Sequence, residues 1–130
     1  MSGESRKGNV GVLKIAETLV ERGFGISFVF NTESPIDLIA LDGPNTYRIQ
    51  VKYAKAKDGH ISFSCTKGVG RKQNYLENEF DFYGVYCPDT NKCYFLKNIG
   101  DRNRISLTIK TKIYNSSVKF VEDYLLFPPK

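Results

Sequence analysis

The sequence predicts a single α/β domain, close to the α+β class, with a mixed central β-sheet flanked by helices. A segment with helical periodicity comes first, several short β-branched and aromatic runs follow it, and a second segment with helical spacing closes the chain. At 130 residues the chain is expected to form one domain over residues 1–130, with enough material for a real core.

The first helix is predicted over residues 6–22. Its apolar residues Val12, Ile15, Ala16 and Leu19 recur at the spacing of one helix face, and Gly23 provides a C-terminal stop. Runs of β-branched and aromatic residues separated by turn formers then predict strands. These strands are expected at residues 24–30, 37–41, 47–53 and 60–66, as a meander in which each strand pairs with the one before it.

The second half of the chain contains a strongly aromatic hairpin around Pro88. Its strands are expected at residues 81–87 and 92–96. The remaining predicted elements are a short helix at 74–79, a short strand or extended connection at 104–109, and a closing helix at 118–126.

The composition is that of an ordinary soluble protein, with 41% hydrophobic and 25% charged residues. No apolar run approaches the roughly 20 residues of a membrane span, and the N-terminus has no apolar region of the secretory type. We therefore expect no membrane association and a cytoplasmic location, in a host cell if a mobile element or virus encodes the protein.

The net charge of +5 favours a polyanionic partner, although it also fits a merely basic soluble protein.

Cysteine and histidine usage argues against a zinc site and against a disulfide framework. Cys65, Cys87 and Cys93 lack CxxC spacing, which favours reduced thiols. The sole histidine, His60, falls in a turn and is expected to be an exposed loop residue.

The hairpin formed by residues 37–41 and 47–53 carries an unusual set of polar residues. Successive side chains of a strand point to opposite faces, so Arg48, Gln50 and Lys52 share one face of the second strand. If the turn is centred on residues 44–45, Asp37 lies opposite Lys52, with Gln50 two residues along. A hairpin at the sheet edge, with one solvent-exposed face and a surface ion pair, would show the same pattern. The alternative is a site where a carboxylate and a carbonyl oxygen bind Mg²⁺ and the lysine lies near a phosphate.

Residues 67–73 form a basic, glycine-containing loop. Lys67, Arg71 and Lys72 are candidate phosphate contacts, and a flexible solvated loop is the equal alternative. The glycines do not have the spacing of a nucleotide-binding loop.

Taken together, these segments resemble the PD-(D/E)XK nuclease superfamily over nearly the whole chain. The resemblance begins with Lys7-Gly8-x-x-Gly11, a helix and a strand. It continues through Ser34-Pro35-Ile36-Asp37-Leu38-Ile39-Ala40 and Arg48-Ile49-Gln50-Val51-Lys52, and it extends to residues 80–86, 94–95 and 121–124. It is strongest to the small group I intron homing endonucleases, which carry Gln where most members carry Glu. Archaeal Holliday junction resolvases, which share the early pattern, would be expected to carry Glu there.

The resemblance implies a restriction-endonuclease-like core and a DNA endonuclease that hydrolyses phosphodiester bonds with Mg²⁺ or Mn²⁺. Asp37 and Gln50 match the metal-binding positions, and Lys52 matches the catalytic lysine. Double-stranded or branched DNA is the implied substrate. Lys7 and Arg48, with the basic residues of the 67–73 loop, are the implied DNA contacts. Members commonly assemble as dimers or tetramers, so a homo-oligomer is also implied.

One position departs from the family pattern. The family usually has Glu immediately after the second glycine of the KGxxG motif, where this chain has Val12. The residues that share its helix face are not acidic, and Glu33 is the only nearby acid that we can nominate. Losing a carboxylate weakens a Mg²⁺ site. Three hypotheses therefore stand: an active endonuclease, a catalytically impaired relative that binds DNA, and a basic interaction domain without a nucleic-acid role.

Overall fold

The computed structural model of the chain describes residues 3–31, 33–68, 70–109 and 119–129. One α-helix, ten strands and one 3₁₀ helix occur in these ranges. They are α1 (Gly3–Glu21), β1 (Gly25–Phe28), β2 (Leu38–Asp42), β3 (Asn45–Tyr53), β4 (Ala56–Lys57), β5 (His60–Ser64), β6 (Thr66–Lys67), β7 (Gln73–Asn74), β8 (Phe82–Cys87), β9 (Lys92–Lys97), β10 (Arg104–Thr108) and the 3₁₀ helix Val121–Tyr124.

The central sheet has the strand order β1-β2-β3-β8-β9. It is mixed, because β3 and β8 run parallel while the other neighbours are antiparallel. The predicted α/β class with a mixed central sheet is confirmed. A parallel pair needs a long crossover, and the segment from β4 to β7 supplies it here.

Helix α1 covers one face of this sheet. Ile15 and Leu19 are fully buried there, in a core that also contains Ile49 and Phe95. Gly84 of β8 allows the close approach, since a Cβ at this position would lie only 3.1–3.2 Å from Ile49 and Ile15. The helix is therefore seated on the two parallel strands.

A second, three-stranded sheet of order β10-β5-β4 accompanies the other core of the molecule. Ile61, Phe63 and Leu107 from this sheet share that core with Tyr83 and Val85 of β8. The predicted meander is wrong at this point, because β5 pairs with β4 and β10, and β3 pairs with β8. In the second sheet the apolar side chains of β5, Ile61 and Phe63, are buried in the core that they share with β8.

Two predicted helices are absent from the described residues. The segment predicted as a helix at 74–79 begins in the β6–β7 ribbon and continues as a turn, in which the backbone N–H of Glu79 bonds to the carbonyl of Leu76. Of the helix predicted at 118–126, residue 118 lies outside the described residues and only Val121–Tyr124 is helical, as a 3₁₀ turn. The chain then extends so that Phe127 can pack edge-on against the rings of Phe24 and Phe95.

All three cysteines are buried free thiols. His60 is exposed as predicted, but it is the first residue of β5 and not a loop residue. Within the described ranges no helix is both long and apolar enough to cross a membrane.

Candidate active site

The β2–β3 hairpin turns at Gly43 and Pro44. Its register pairs Asp42 with Asn45 and Leu38 with Ile49. Continued by one residue, this register sets Asp37 level with Gln50, so the predicted pairing of Asp37 with Lys52 is wrong by two residues. Gly43 has a φ of 57°, which only a glycine adopts readily and which allows the tight two-residue turn. A shift of two residues preserves the strand faces, so Asp37, Gln50 and Lys52 still share one face.

Asp37 is fixed across the hairpin by backbone hydrogen bonds. The N–H of Val51 donates to Asp37 Oδ2 at 2.7 Å, and the N–H of Asp37 donates to the carbonyl of Ile49 at 2.9 Å. Burial raises the pKa of Asp37, and it outweighs the lowering by the Val51 hydrogen bond and the Lys52 charge. The carboxylate is therefore oriented but incompletely stabilised by the protein.

Gln50 is buried, with 7% of its surface exposed. Its Oε1 is fully buried and accepts no hydrogen bond from any described residue. A buried oxygen without a partner is unfavourable by about 1–3 kcal/mol, so such an atom requires an explanation. A cation-binding role would explain this oxygen, because the Asp37 carboxylate lies on the same face of the hairpin.

Lys52 is half-buried on the same face as Gln50. Burial lowers the pKa of Lys52; the neighbouring Cys65 and Asp37 raise it, and Arg104 lowers it. Cys65, which follows β5, and Arg104, at the start of β10, thus act electrostatically on the candidate lysine. Burial, with a hydrogen bond to Cys65, raises the pKa of Tyr83, the residue level with Gln50 on β8.

Cys65, Tyr83 and Arg104 were not among the sequence candidates. Tyr83 lies in an aromatic run that predicts a core strand, and Cys65 is an isolated thiol. Arg104 begins a predicted strand far along the chain. No motif links these residues to the hairpin, so only the fold could identify them.

Val12 lies in a cleft of about 600 Å³ whose wall also includes Asp37. The cleft is formed by α1 at Asn9, Val12 and Leu13, and by the end of β1 with the residues that follow it. Asp37 is the only carboxylate among the described lining residues. The position where the family carries Glu therefore faces the same space as the candidate metal-binding aspartate.

Glu33, the nominated substitute acid, lines a different cavity of about 380 Å³. Ser34, Lys67 and Glu79 line that cavity with it, and Asp37 does not. The structure gives no support for Glu33 as a replacement for the missing carboxylate in the Val12–Asp37 cleft.

Three of the predicted DNA contacts are engaged in ion pairs within the chain. Lys7 lies 3.8 Å from Glu4. The Arg48 guanidinium is 3.2 Å from Asp81, and Lys67 is paired with Glu79. Arg71 and Lys72 are exposed, and within the described part of the chain neither forms an ion pair.

The two candidate metal ligands suit a hard cation such as Mg²⁺, but together they carry only one negative charge. Asp37 and Gln50 offer oxygen ligands, the kind that Mg²⁺ prefers, and Mg²⁺ commonly uses one or two carboxylates with several waters. The described residues contain no cluster of three or more His, Cys, Asp or Glu side chains suited to a metal. The residues therefore fit a divalent ion held by one carboxylate, an amide oxygen and water.

Comparison with known proteins identifies the fold and the family of the chain. No curated protein matches the sequence. Among solved structures, the chain is similar to a bacterial homing endonuclease, I-Ssp6803I, with a TM-score of 0.77 and 16% sequence identity over 95% of this chain and 88% of that chain. At this identity the likeness supports the fold alone. A sequence model described as PD-(D/E)XK endonuclease matches residues 3–127, nearly the whole chain, and the protein therefore belongs to the PD-(D/E)XK endonuclease family.

Proposed function

We propose that this protein is a DNA endonuclease that hydrolyses phosphodiester bonds with a divalent metal ion, Mg²⁺ or Mn²⁺. The observation that carries the proposal is the buried, unpartnered Oε1 of Gln50 on the face shared with Asp37 and Lys52. Family membership supports nuclease chemistry, and the net charge of +5 supports a polyanionic substrate.

Each site residue has a distinct role in this proposal. Asp37 and Gln50 hold the metal ion, which when bound activates a water and neutralises charge on the phosphate. The Val51 N–H orients the Asp37 carboxylate by bonding to Oδ2, which leaves Oδ1 available. Lys52 donates a hydrogen bond to the scissile phosphate or orients the attacking water, and its partial burial strengthens that interaction.

Substrate and assembly follow from the same proposal. Double-stranded DNA is the expected substrate, cut by a homo-dimer or tetramer so that both strands are cleaved. Branched DNA, as for a Holliday junction resolvase, is the alternative, although Gln50 departs from the Glu expected there. The similar solved structure is that of a homing endonuclease, which favours a specific DNA site. The proposed location is the cytoplasm, of a host cell if the protein is encoded by a mobile element or virus.

Cleavage of plasmid DNA with Mg²⁺ or with EDTA tests the proposal. Lys52→Ala is expected to abolish metal-dependent cleavage, while the matched control Lys55→Ala, an exposed lysine just after β3, should retain it. Light scattering in the same buffer determines the oligomeric state. Metal-independent cleavage, or cleavage equal in both variants, would contradict the proposal.

A second candidate is a catalytically impaired relative that binds DNA without cutting it. It is favoured by Val12, which leaves Asp37 as the only carboxylate among the described residues of the cleft. This candidate predicts salt-sensitive DNA binding and no cleavage by the natural sequence. Absence of DNA binding at low salt would instead favour a basic interaction domain.

A further inference from the structure

The outer face of the three-stranded sheet carries a row of short hydroxyl side chains. Ile61 and Phe63 of β5 and Ile105 and Leu107 of β10 are buried in the core on the inner side of this sheet, and the alternation continues through the buried Cys65. Successive strand side chains point to opposite faces, so the residues between them project away from that core. We call these residues the hydroxyl face: Ser62, Ser64, Thr66, Ser106 and Thr108.

Strand register makes the hydroxyl face continuous. Ser106 of β10 is directly opposite Ser62 of β5. The Oγ of Ser64 lies 2.9 Å from the Oγ1 of Thr66, which extends the row past the end of β5. Within the described residues, the hydroxyls of Ser62 and Ser106 have no hydrogen-bond partner. Short side chains therefore lie side by side, with donors available to a large ligand.

The charged residues on this face are cations. Arg104 lies opposite Ser64, and Lys57 of β4 lies opposite His60. Arg104 and Lys57 are exposed, and neither forms an ion pair with another described residue. The strands β4, β5 and β10 contain no Asp or Glu, and Asp58 belongs to the turn between β4 and β5. Solvent-exposed surfaces ordinarily mix both signs of charge, so this face is complementary to a polyanion.

The hydroxyl face backs onto the candidate active site. The ring of Phe63, between Ser62 and Ser64, lies 5.3 Å from the ring of Tyr83 on β8. Tyr83 is level with Gln50 on the neighbouring strand β3. Packed sheets are separated by about 10 Å, which is the length of about three base pairs of duplex DNA. One duplex is therefore long enough to occupy the site and to extend onto this face.

We propose that the hydroxyl face, together with Lys57 and Arg104, docks the phosphodiester backbone of duplex DNA that is bound at the candidate active site. Ser and Thr hydroxyls and Arg and Lys side chains are common phosphate contacts, which position a duplex without reading its sequence. The small hydroxyl side chains let the backbone approach the sheet closely. This inference rests on the proposed function, because it takes DNA as the ligand.

DNA binding measured by fluorescence anisotropy tests the inference. The protein is titrated into two labelled duplexes of unrelated sequence, at several KCl concentrations, in EDTA to prevent metal-dependent cleavage. Ser106→Glu places a carboxylate on the hydroxyl face and should weaken binding at low salt at least about tenfold for both duplexes. Lys57→Gln removes one cation and should reduce the slope of log K against log [KCl] by about one.

Each variant has a matched control. Ser27→Glu makes the same substitution at an exposed position of β1, outside the described lining of the cleft. Lys92→Gln removes a lysine charge from an exposed position of β9. Both controls should bind like the natural sequence, and thermal unfolding should show that all variants are folded. If Ser106→Glu does not fold, the comparison of Lys57→Gln with Lys92→Gln decides.

The outcomes separate this inference from the proposed function. If Ser106→Glu binds as Ser27→Glu does, or if its loss of binding is confined to one duplex sequence, the inference is overturned while the proposed function stands. Equal slopes for Lys57→Gln and Lys92→Gln would overturn it in the same way. If the natural sequence shows no salt-dependent binding, both are overturned.

Discussion

At the scale of single residues, Gln50 is where stability and function oppose each other. A buried strand position ordinarily carries an apolar side chain, or a polar one whose hydrogen bonds are satisfied. The Oε1 of Gln50 is polar and buried, and it has no hydrogen-bond partner among the described residues. A cation beside Asp37 would satisfy that oxygen. Without the cation, the unsatisfied oxygen lowers the stability of the fold.

We expect Gln50→Met to stabilise the metal-free protein by about 1 kcal/mol, because it removes an unsatisfied polar atom and keeps a similar shape. Urea unfolding in EDTA measures this change. The same substitution should abolish any stabilisation by added Mg²⁺. Gln73→Met, at an exposed position, serves as the control and should change neither quantity. A destabilised Gln50→Met protein would show that the amide has a structural role.

Val12 is the residue that decides between the active and the impaired candidate. Val12→Glu places a second carboxylate in the cleft with Asp37, so Mg²⁺ should bind at least about tenfold more tightly. The rise in unfolding temperature with increasing Mg²⁺ measures this affinity, and plasmid cleavage should increase in parallel.

Val20→Glu, an exposed position of the same helix outside the described lining of the cleft, is the matched control. It should not alter the response to Mg²⁺. Equal responses of the two variants would mean that Val12 does not occupy the position of the family Glu.

At the scale of elements, β3 joins the site to the rest of the sheet. The Arg48 backbone N–H donates to Asp81 Oδ2 at 2.8 Å, and the Arg48 guanidinium bonds to both carboxylate oxygens of Asp81. In return, the Asp81 N–H donates to the carbonyl of Arg48. These bonds fix the start of β8 against β3, which sets the parallel register that places Tyr83 level with Gln50.

The Asp81 contact makes stability depend on acid pH. Burial raises the pKa of Asp81, but the hydrogen bonds and charge of Arg48 outweigh this effect, so the pKa is below its ordinary value. A carboxyl group with a lowered pKa in the folded state stabilises the fold above its unfolded pKa of about 4. That contribution is lost as the pH falls through the folded value.

Asp81→Asn should therefore destabilise the protein at pH 7 by about 1 kcal/mol, a modest value because both side chains of the ion pair are more than a third exposed. The difference between natural and variant proteins should shrink below about pH 4. Urea unfolding across this range measures it, with Asp58→Asn, in the exposed β4–β5 turn, as the control. A difference that is constant with pH would argue against an ionic contribution.

The contact between α1 and β8 depends on the absence of a side chain at Gly84. Gly84→Ala should destabilise the fold by roughly 1–3 kcal/mol, because its Cβ would crowd Ile15 and Ile49. Adding Ile15→Val removes one of the crowded methyl groups, so the double variant should be less destabilised than the sum of the two changes. Additive effects in urea unfolding would show that the helix shifts freely.

At the scale of the whole molecule, the five-stranded sheet, the three-stranded sheet and α1 build the two cores of the described residues. The α1 core holds the central sheet, and the C-terminal Phe127 closes it by packing on four other aromatic rings. The second sheet closes the other core with Tyr83 and Val85 of β8. The candidate site thus draws on α1, the β2–β3 hairpin and β8, which are far apart in the sequence.

Local patterns in the sequence were sufficient for the helix, both hairpins and the shared face of Asp37, Gln50 and Lys52. Helical periodicity and strand alternation are properties of neighbouring residues, so they can be read without knowing the fold. The hairpin register was missed by two residues because a two-residue turn at Gly43 is as compatible with the sequence as one centred later. The predicted helix at 74–79 failed for a related reason, since pairing of β7 with β6 outweighed local propensity.

Tertiary structure alone decided that β3 pairs with β8 and that Val12 and Asp37 line one cleft. These are contacts between distant segments, and they are chosen by the burial of whole faces, which leaves no local signature. By itself, the sequence determined which polar side chains share one face of the hairpin. The fold determined that Asp37 is the only carboxylate among the described residues of the cleft, because residues from distant segments meet there.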